Sequence, residues 1–359
     1  MDWVLAIAGL AVGIVVGLTG MGGGALMTPM LVLFFGIPPL AAVSSDLVVS
    51  AVMKPVGGLV HIRRGTVNWS LVGWLCVGSV PAAFTGVLLL RAVGDGERLQ
   101  GAVKIALGIA LLVATAGLVY RAYTRMVEHA ARRRAAAAGA APAPPPTGPV
   151  LARPVPTVLV GAVGGLIVGM TSVGSGSLII IALLMLYPLL HPGSLVGTDL
   201  VQAVPLVAAA ALGHLLFGDF RLDLTASLLI GAVPGAWLGA QLSTRAPGGL
   251  VRRALAVVLL ASGLKLLGVP NGALLVGLAA ALGLGSLAWM AARRRHGLPA
   301  LARAERRAAR LDPPAAPDPR QPEPATAPGP QPAAPGPQPA AAGPTGAGAD
   351  HAGAANLTR

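Results

Sequence analysis

Four polar side chains recur along one otherwise apolar stretch near the amino terminus of the chain. A helix would carry all four on one face, since they are spaced by 4, 4 and 7 residues: Asp46, Ser50, Lys54 and His61. A charged group within an apolar segment is expensive and indicates function. Lys54 is therefore predicted to bind a substrate anion or to pair with a coupling carboxylate. The alternative is a structural ion pair with Asp46 or a contact with a backbone carbonyl.

A glycine-rich run, GLTGMGGGAL from Gly17, interrupts the first apolar segment, and a second version, GMTSVGSGSL, begins at Gly169. A helix that restarts after such a break has free N–H groups at its electropositive end, which suits an anion. Two such turns facing one centre would form an anion site, with a plain bend as the alternative. The residues predicted to bind substrate are Thr19, Gly22, Gly23, Gly24, Lys54, Thr171, Ser172, Gly174, Ser175 and Gly176.

Two acidic and two histidine residues are candidates for binding a proton or another coupling ion. Asp46 and Asp199 each follow a hydroxyl residue, which is also typical of a helix cap. The histidines would either relay protons or simply face interfacial water. The residues predicted to take part in ion coupling are Asp46, His61, Asp199, Gln202 and His214.

The composition indicates a membrane protein. Hydrophobic residues make up 55% of the 359, and charged residues only 11%, against roughly 25% in soluble proteins. Several apolar segments are long enough to cross a bilayer. The net charge of +13 comes from arginines between these segments or after the last one, which favours membrane orientation over nucleic-acid binding.

Several kinds of chemistry are not expected. The single cysteine, Cys76, excludes a thiolate metal site, and no metal or cofactor is predicted. Neither GxxxxGK[ST] nor GxGxxG is present, so ATP-driven transport is not expected. HExxH and GxSxG motifs are also missing from the sequence, so the chain is not expected to be an enzyme.

The chain contains an internal repeat with an offset of 152 or 153 residues. Repeated halves are a common plan of secondary transporters, and the GxxxGxxxG spacing within them is also typical of close helix packing in membranes. The matched residues are Gly9, Gly13 and Gly17 with Gly161, Gly165 and Gly169; Asp46, His61 and Gly65 with Asp199, His214 and Gly218; and Pro81 and Gly86 with Pro234 and Gly239.

Each repeat is predicted to contain a short helix pair around the glycine turn, either spanning or re-entrant, and three longer helices. The fold class is therefore an all-α polytopic membrane protein with two repeats and one extra carboxyl-terminal helix. The predicted helices are Val4–Leu18, Ala25–Gly36, Ser45–Ile62, Val67–Leu90 and Leu99–Tyr120, then Val155–Met170, Leu178–Leu190, Thr198–Phe217, Leu222–Ser243 and Leu250–Leu267, and finally Ala273–Ala292.

The same pattern divides the chain into regions. Residues 1–120 form the first repeat, 121–154 a basic Ala/Pro-rich linker, 155–268 the second repeat and 269–292 the additional helix. Residues 293–359 are predicted to be a basic, then Pro/Ala-rich, disordered tail.

The arginines also predict the orientation of the chain. Placing the basic loops and the end of the last helix inside gives 14 Lys and Arg residues in the cytoplasmic connections, against five outside. The linker and tail are then cytoplasmic and the protein lies in the inner (plasma) membrane. An odd number of crossings in each half makes the two repeats inverted, related by an axis in the membrane plane.

The two glycine motifs, the segment that leads from Gly197 to Asp199, and the segments GSVPAAFTG and GAVPGAWLG resemble the sulfite exporter TauE/SafE family of membrane permeases. The resemblance extends from Val4 to Gly268. It implies a secondary transporter for sulfite, sulfonates or related organosulfur anions, coupled to an ion gradient. The second motif departs from the triple glycine of the family by carrying Ser175.

The sequence thus predicts a permease that moves a small anion by alternating access, in which one repeat rocks against the other around a midplane site, with protons as a candidate coupling ion. Its expected partners are the anion and the lipid bilayer, and the oligomeric state is left open. One alternative is a passive anion channel. Another is a membrane assembly or sensory subunit that recruits a partner through its tail.

Overall fold

The computed structural model describes residues 2–19, 23–94, 96–139, 152–174, 176–188, 190, 192–242 and 248–299. These residues belong to one structural unit, Met1–Ala302, and a second unit, Arg303–Arg359, lies outside them. The predicted Pro/Ala-rich tail and the Pro-rich part of the linker are therefore outside the described residues.

The part of the chain that the structure describes is all-helical, without a strand, which confirms the predicted fold class. Its helices are α1 Trp3–Thr19, α2 Gly24–Phe34, α3 Pro39–Arg63, α4 Trp69–Ala92, α5 Glu97–Ala137, α6 Pro154–Thr171, α7 Leu178–Leu186, α8 Pro192–Phe217, α9 Leu222–Leu242, α10 Gly248–Leu266 and α11 Asn271–Arg295.

Seven of these helices are long and apolar enough to cross a membrane: α3, α4, α5, α6, α8, α9 and α11. The second helix of each short pair is much shorter. At 1.5 Å per residue, α2 and α7 reach only about 16 and about 14 Å, half of a hydrocarbon core of about 30 Å. Neither α2 nor α7 can therefore span the membrane alone.

Helix starts and ends differ from the predicted ones by four residues or more at four places. Helices α3 and α8 begin six residues early, at Pro39 and Pro192, because proline is well suited to the first turn of a helix. Helix α7 ends at Leu186, four residues early, since the residue before Pro188 is disfavoured in a helix. Helix α5 continues through the first part of the predicted linker to Ala137, where Ala and Arg have high helix propensity.

The two repeats interlock through reciprocal helix pairs. Helix α1 of the first repeat packs along α9 of the second, and α6 of the second packs along α4 of the first. Equivalent helices thus make equivalent contacts. The inverted orientation of the two repeats stays a prediction.

Glycines allow these pairs to approach at backbone distance. A Cβ placed on Gly9 would lie 2.8 Å from the Leu228 carbonyl oxygen, and one on Gly13 would lie 2.5 Å from that of Ala232. In the other pair, a Cβ on Gly165 would overlap the Ser79 backbone. Tight van der Waals packing of this kind drives helix association where lipid removes the hydrophobic driving force. The packing interpretation of the GxxxGxxxG spacing is therefore confirmed.

Helix α3 crosses α8 at the centre of the unit, where Gly58 faces Val201 and Val204. Helix α5 packs on α10 through Gly108 and Gly263. The additional helix α11 is different, since none of its most apolar 18-residue stretch is buried. Contacts lie at its two ends, where the Lys265 ammonium donates to Asn271 Oδ1 and the Arg253 guanidinium lies 6.0 Å from the centre of the Trp289 ring.

Replacing Gly13 by Ala should loosen the pairing of α1 with α9. The added methyl meets the Ala232 backbone, which cannot give way as a side chain can, and we expect a loss of roughly 1–3 kcal/mol in unfolding free energy. Thermal or denaturant unfolding of the purified protein in detergent measures the loss. The matched control is Gly73→Ala, because a Cβ there meets nothing within 4 Å. Equal stability of the two variants would contradict the packing role of Gly13.

Candidate functional site

The carboxylate of Asp46 lies at the amino-terminal end of α2. Asp46 is fully buried two turns inside α3, and the Thr28 hydroxyl of α2 donates to its Oδ2 at 2.7 Å. Its Oδ1 lies 3.5 Å from the position that a Cβ on Gly23 would occupy. The electropositive end of α2 therefore faces a carboxylate of the protein itself.

Lys54 brings a positive charge to the same region. It lies two turns beyond Asp46 on α3, its exposure is 7%, and it interacts electrostatically with both Asp46 and Asp199. Asp199, on α8, is also buried, with 1% exposure. Two carboxylates and one ammonium thus form a buried charged cluster, Asp46–Lys54–Asp199, where the two central helices meet.

The two glycine turns come into direct contact beside this cluster. A Cβ on Gly24 would overlap the backbone carbonyl of Ser172, the residue that ends α6. Ser172 adopts a left-handed conformation with φ of 59°, uncommon for a residue with a side chain. Its hydroxyl lies near the Asp46 carboxylate. The first and second motifs therefore meet, as the sequence predicts.

Five buried polar atoms in this region have no hydrogen-bond partner within the described residues. Leaving a buried polar atom unpaired costs about 1–3 kcal/mol, so native proteins keep few of them. Their concentration beside one charged cluster indicates a site for a polar ligand or ion. The atoms are Ser45 Oγ, Asp46 Oδ1, Ser172 Oγ, Asp199 Oδ1 and Gln202 Oε1.

The structure differs from the sequence prediction in the role of two carboxylates as helix caps and in the direction of two hydroxyl groups. Asp46 and Asp199 do not cap their helices, because both lie well inside α3 and α8, and the capping interpretation is wrong. The hydroxyl of Thr19 donates to the carbonyl of Val15 at 2.8 Å, and that of Thr171 to the carbonyl of Ile167 at 2.6 Å. These two hydroxyl protons are thus directed at their own helices.

The two predicted histidines have different surroundings. His214 is completely buried, with Nε2 2.8 Å from the Gly169 carbonyl oxygen and Nδ1 2.8 Å from Ser44 Oγ. It therefore ties α8 to α6 and α3, and the idea that it faces interfacial water is wrong. His61 is only partly buried, and its Nδ1 lies 2.9 Å from Thr66 Oγ1.

The remaining predicted residues lie around the same centre or outside the described residues. Gln202 Nε2 donates to Ser79 Oγ at 3.4 Å, across the contact between α8 and α4. Gly174 and Gly176 belong to the turn before α7. Gly22 and Ser175 lie outside the described residues.

Sequence reasoning did not single out Ser79 and Ser44, which contact Gln202 and His214. The repeat offered no signal for Ser79, because its counterpart is Ala232. A serine in an apolar helix is also common without function, so only the neighbouring helix identifies it.

Comparison with known proteins agrees with this architecture. The family model described as "Sulfite exporter TauE/SafE" matches residues 5–266, from the start of α1 to the end of α10. Helix α11 lies beyond the matched region. No solved structure matches the chain.

Three curated proteins of Bacillus subtilis (strain 168) are similar. "Probable membrane transporter protein YjnA" is 35% identical over 264 residues, covering 73% of this chain and 98% of the relative. "Probable membrane transporter protein YdhB" is 25% identical over 266 residues, 71% and 96% of the two chains. "Probable membrane transporter protein YunE" is 33% identical over 116 residues, which cover 32% of this chain and 40% of the relative. The chain therefore belongs to the sulfite exporter TauE/SafE family of membrane transporters.

Proposed function

We propose that this protein is an ion-coupled secondary transporter for a small oxyanion, sulfite or an organosulfonate. The observation that carries the proposal is the Asp46–Lys54–Asp199 cluster, buried beside the contact between the two glycine turns. The family description supports the sulfur oxyanion as substrate class. We propose that the solute crosses without chemical change.

The charges of the cluster supply a reason for coupling. Two carboxylates outnumber one ammonium, so with both ionised the centre is net negative and repels an anion. A proton on either carboxyl removes this repulsion and leaves Lys54 to attract the oxyanion. Binding of the anion together with a proton is therefore the mechanism that we propose, and the proton gradient would drive uphill movement.

The position of Asp46 suggests which group the anion replaces. Its carboxylate lies at the amino-terminal end of α2, the same kind of place that binds external anions in other proteins. Protonation of Asp46 weakens its attraction to the helix end and makes this electropositive end available to the solute. Gly23 is compatible with this exchange because it leaves space beside Oδ1.

The two helix pairs that approach through glycines, here called the glycine seams, are α1 with α9 and α4 with α6, and they suggest which parts of the protein move. Backbone contact makes α1 with α9, and α4 with α6, the most tightly packed pairs, and each pair contains one helix from each repeat. We propose that alternating access moves these two pairs relative to each other around α3 and α8, rather than one repeat against the other. The positive-inside distribution supports an inner-membrane location with the end of α5 in the cytoplasm.

Replacing Lys54 by Gln should strongly reduce transport. Removing one partner of a buried charge cluster costs at least about 2 kcal/mol, so we expect the flux to fall at least about thirtyfold. Uptake of radiolabelled sulfite into proteoliposomes, with the outside acidic, measures the flux. Lys104→Gln is the matched control because Lys104 is exposed near the start of α5. Wild-type flux in the Lys54 variant would remove this residue from the mechanism.

Replacing Asp199 by Asn should separate coupling from translocation. The amide imitates a permanently protonated carboxyl, so we expect net uptake driven by the proton gradient to fall about tenfold while exchange of internal for external sulfite continues. A protonophore should collapse uptake by the wild type and leave exchange by the variant unchanged. Gradient-driven uptake by Asp199→Asn at the wild-type rate would contradict a coupling role for Asp199.

The neighbouring glycines Gly23 and Gly24 should respond differently to alanine. A Cβ on Gly23 makes only ordinary contacts with Asp46 and Ser50, so Gly23→Ala should keep its stability and lose flux because it fills space in the site. Gly24→Ala should lose stability, because its methyl overlaps the Ser172 backbone. Thermal unfolding and sulfite flux, measured on both, distinguish the two effects. Normal flux in Gly23→Ala would place the solute elsewhere.

A further inference from the structure

A cavity of about 290 Å³ lies where the carboxyl-terminal extension of α5 passes α7 and α8. Three arginines of α5 line it: Arg121, Arg125 and Arg132. They follow one another at intervals of 4 and 7 residues, which places them on one face of the helix. The arrangement exists only because α5 stays helical to Ala137.

The cavity carries a net positive charge. Glu128 is the carboxylate in its lining, against the three guanidinium groups. Arg252 of α10 adds a further positive charge, since it repels both Arg121 and Arg125. Like charges held together around a cavity are stabilised by an anion that binds between them.

The remaining wall of the cavity is apolar and comes from Ile180 and Leu184 of α7 and Leu195 of α8. A guanidinium fork matches the oxygen pairs of sulfonate, sulfite and phosphate groups. The volume suits a small anion with a short apolar part rather than a nucleotide.

Arg121 connects this cavity with the buried cluster. It lines the cavity and is half-buried, and it interacts electrostatically with Asp199 as well as with Arg125. An anion held by the arginines is therefore within electrostatic range of Asp199, the carboxylate whose protonation would admit it to the centre.

We propose that the arginine-lined cavity is a second oxyanion site, a vestibule that binds the anion before it reaches Asp46, Lys54 and Asp199. This inference rests on the proposed function for its direction of travel, but the cavity's affinity for oxyanions is testable without it. The bound oxyanion is either a free solute or the headgroup of an anionic lipid.

The test is equilibrium binding of radiolabelled sulfite to the full-length protein in lipid nanodiscs. The Lys54→Gln background disables the central site, so the remaining saturable binding reports the vestibule. Adding Arg121→Gln and Arg125→Gln should weaken that binding at least about tenfold, and adding Lys104→Gln should leave it unchanged. With Lys54 intact, the double arginine variant should raise the transport KM and keep most of the kcat.

Lipid composition distinguishes the two sources. If phosphatidylglycerol nanodiscs lower arginine-dependent sulfite binding relative to phosphatidylcholine nanodiscs, the lipid headgroup occupies the site. If they do not, the site takes the free solute. Binding in both lipids that is independent of the arginines would overturn the proposal.

A folding control keeps the result interpretable. Arg121→Lys with Arg125→Lys retains the charge and loses the two-pronged hydrogen bonds, so an intermediate loss of about threefold is expected. Arginine-dependent binding together with normal flux in Lys54→Gln would overturn the proposed central mechanism and leave the vestibule standing. Flux that depends on Lys54 but not on the arginines would overturn the vestibule and leave the proposed central mechanism standing.

Discussion

The charged side chains of Asp46, Lys54 and Asp199 must be buried away from both water and lipid, and this requirement constrains the structure around them. A charged side chain facing hydrocarbon is expensive, and so is broken backbone with unpaired N–H and C=O groups. Both kinds of group are tolerated here because protein surrounds them on all sides. Helices α3 and α8 carry the charges in the centre, and the glycine turns lie against them rather than against lipid.

The close pairing of the outer helices is what makes this enclosure geometrically possible. Glycines on α1 and α9, and on α4 and α6, let each pair approach at backbone distance. This approach positions the ends of α1 and α6, and therefore the turns that follow them, so that Gly24 reaches Ser172. The glycines of the chain thus serve two purposes: those within helices create the seams, and those in the turns leave space for a site.

The charged groups follow one another from the cavity beside α5 to the buried centre. Arginines dominate the half-exposed cavity beside α5, a single lysine is buried farther in, and each region also contains carboxylates. Arginine keeps its charge in almost any environment and suits the wetter cavity. A buried centre with two carboxylates and one ammonium would instead change its net charge with one proton, as the proposed coupling requires.

The helical membrane fold, the family and most of the residues around the centre could be predicted from the amino-acid sequence. These predictions follow from features that are visible in the sequence: the length of the apolar segments, the glycine spacing, the internal repeat and the charges inside apolar segments. Each of these features has a known physical consequence for a chain in a membrane. The predicted helix starts at Ser45 and Thr198 were wrong because a buried polar residue reads as a helix end when its enclosing neighbours are unknown. For the same reason Asp46 was also interpreted as a cap.

Which of these groups contact one another could not be predicted from the sequence. The contact of Gly24 with Ser172, the burial of His214 between Ser44 and Gly169, and the link from Gln202 to Ser79 all join residues far apart in the chain. The cavity beside α5 needed three separate helices and an extension that composition predicted as linker. Such contacts depend on how helices pair across the two repeats, and pairing is set by shape and close packing rather than by any local pattern.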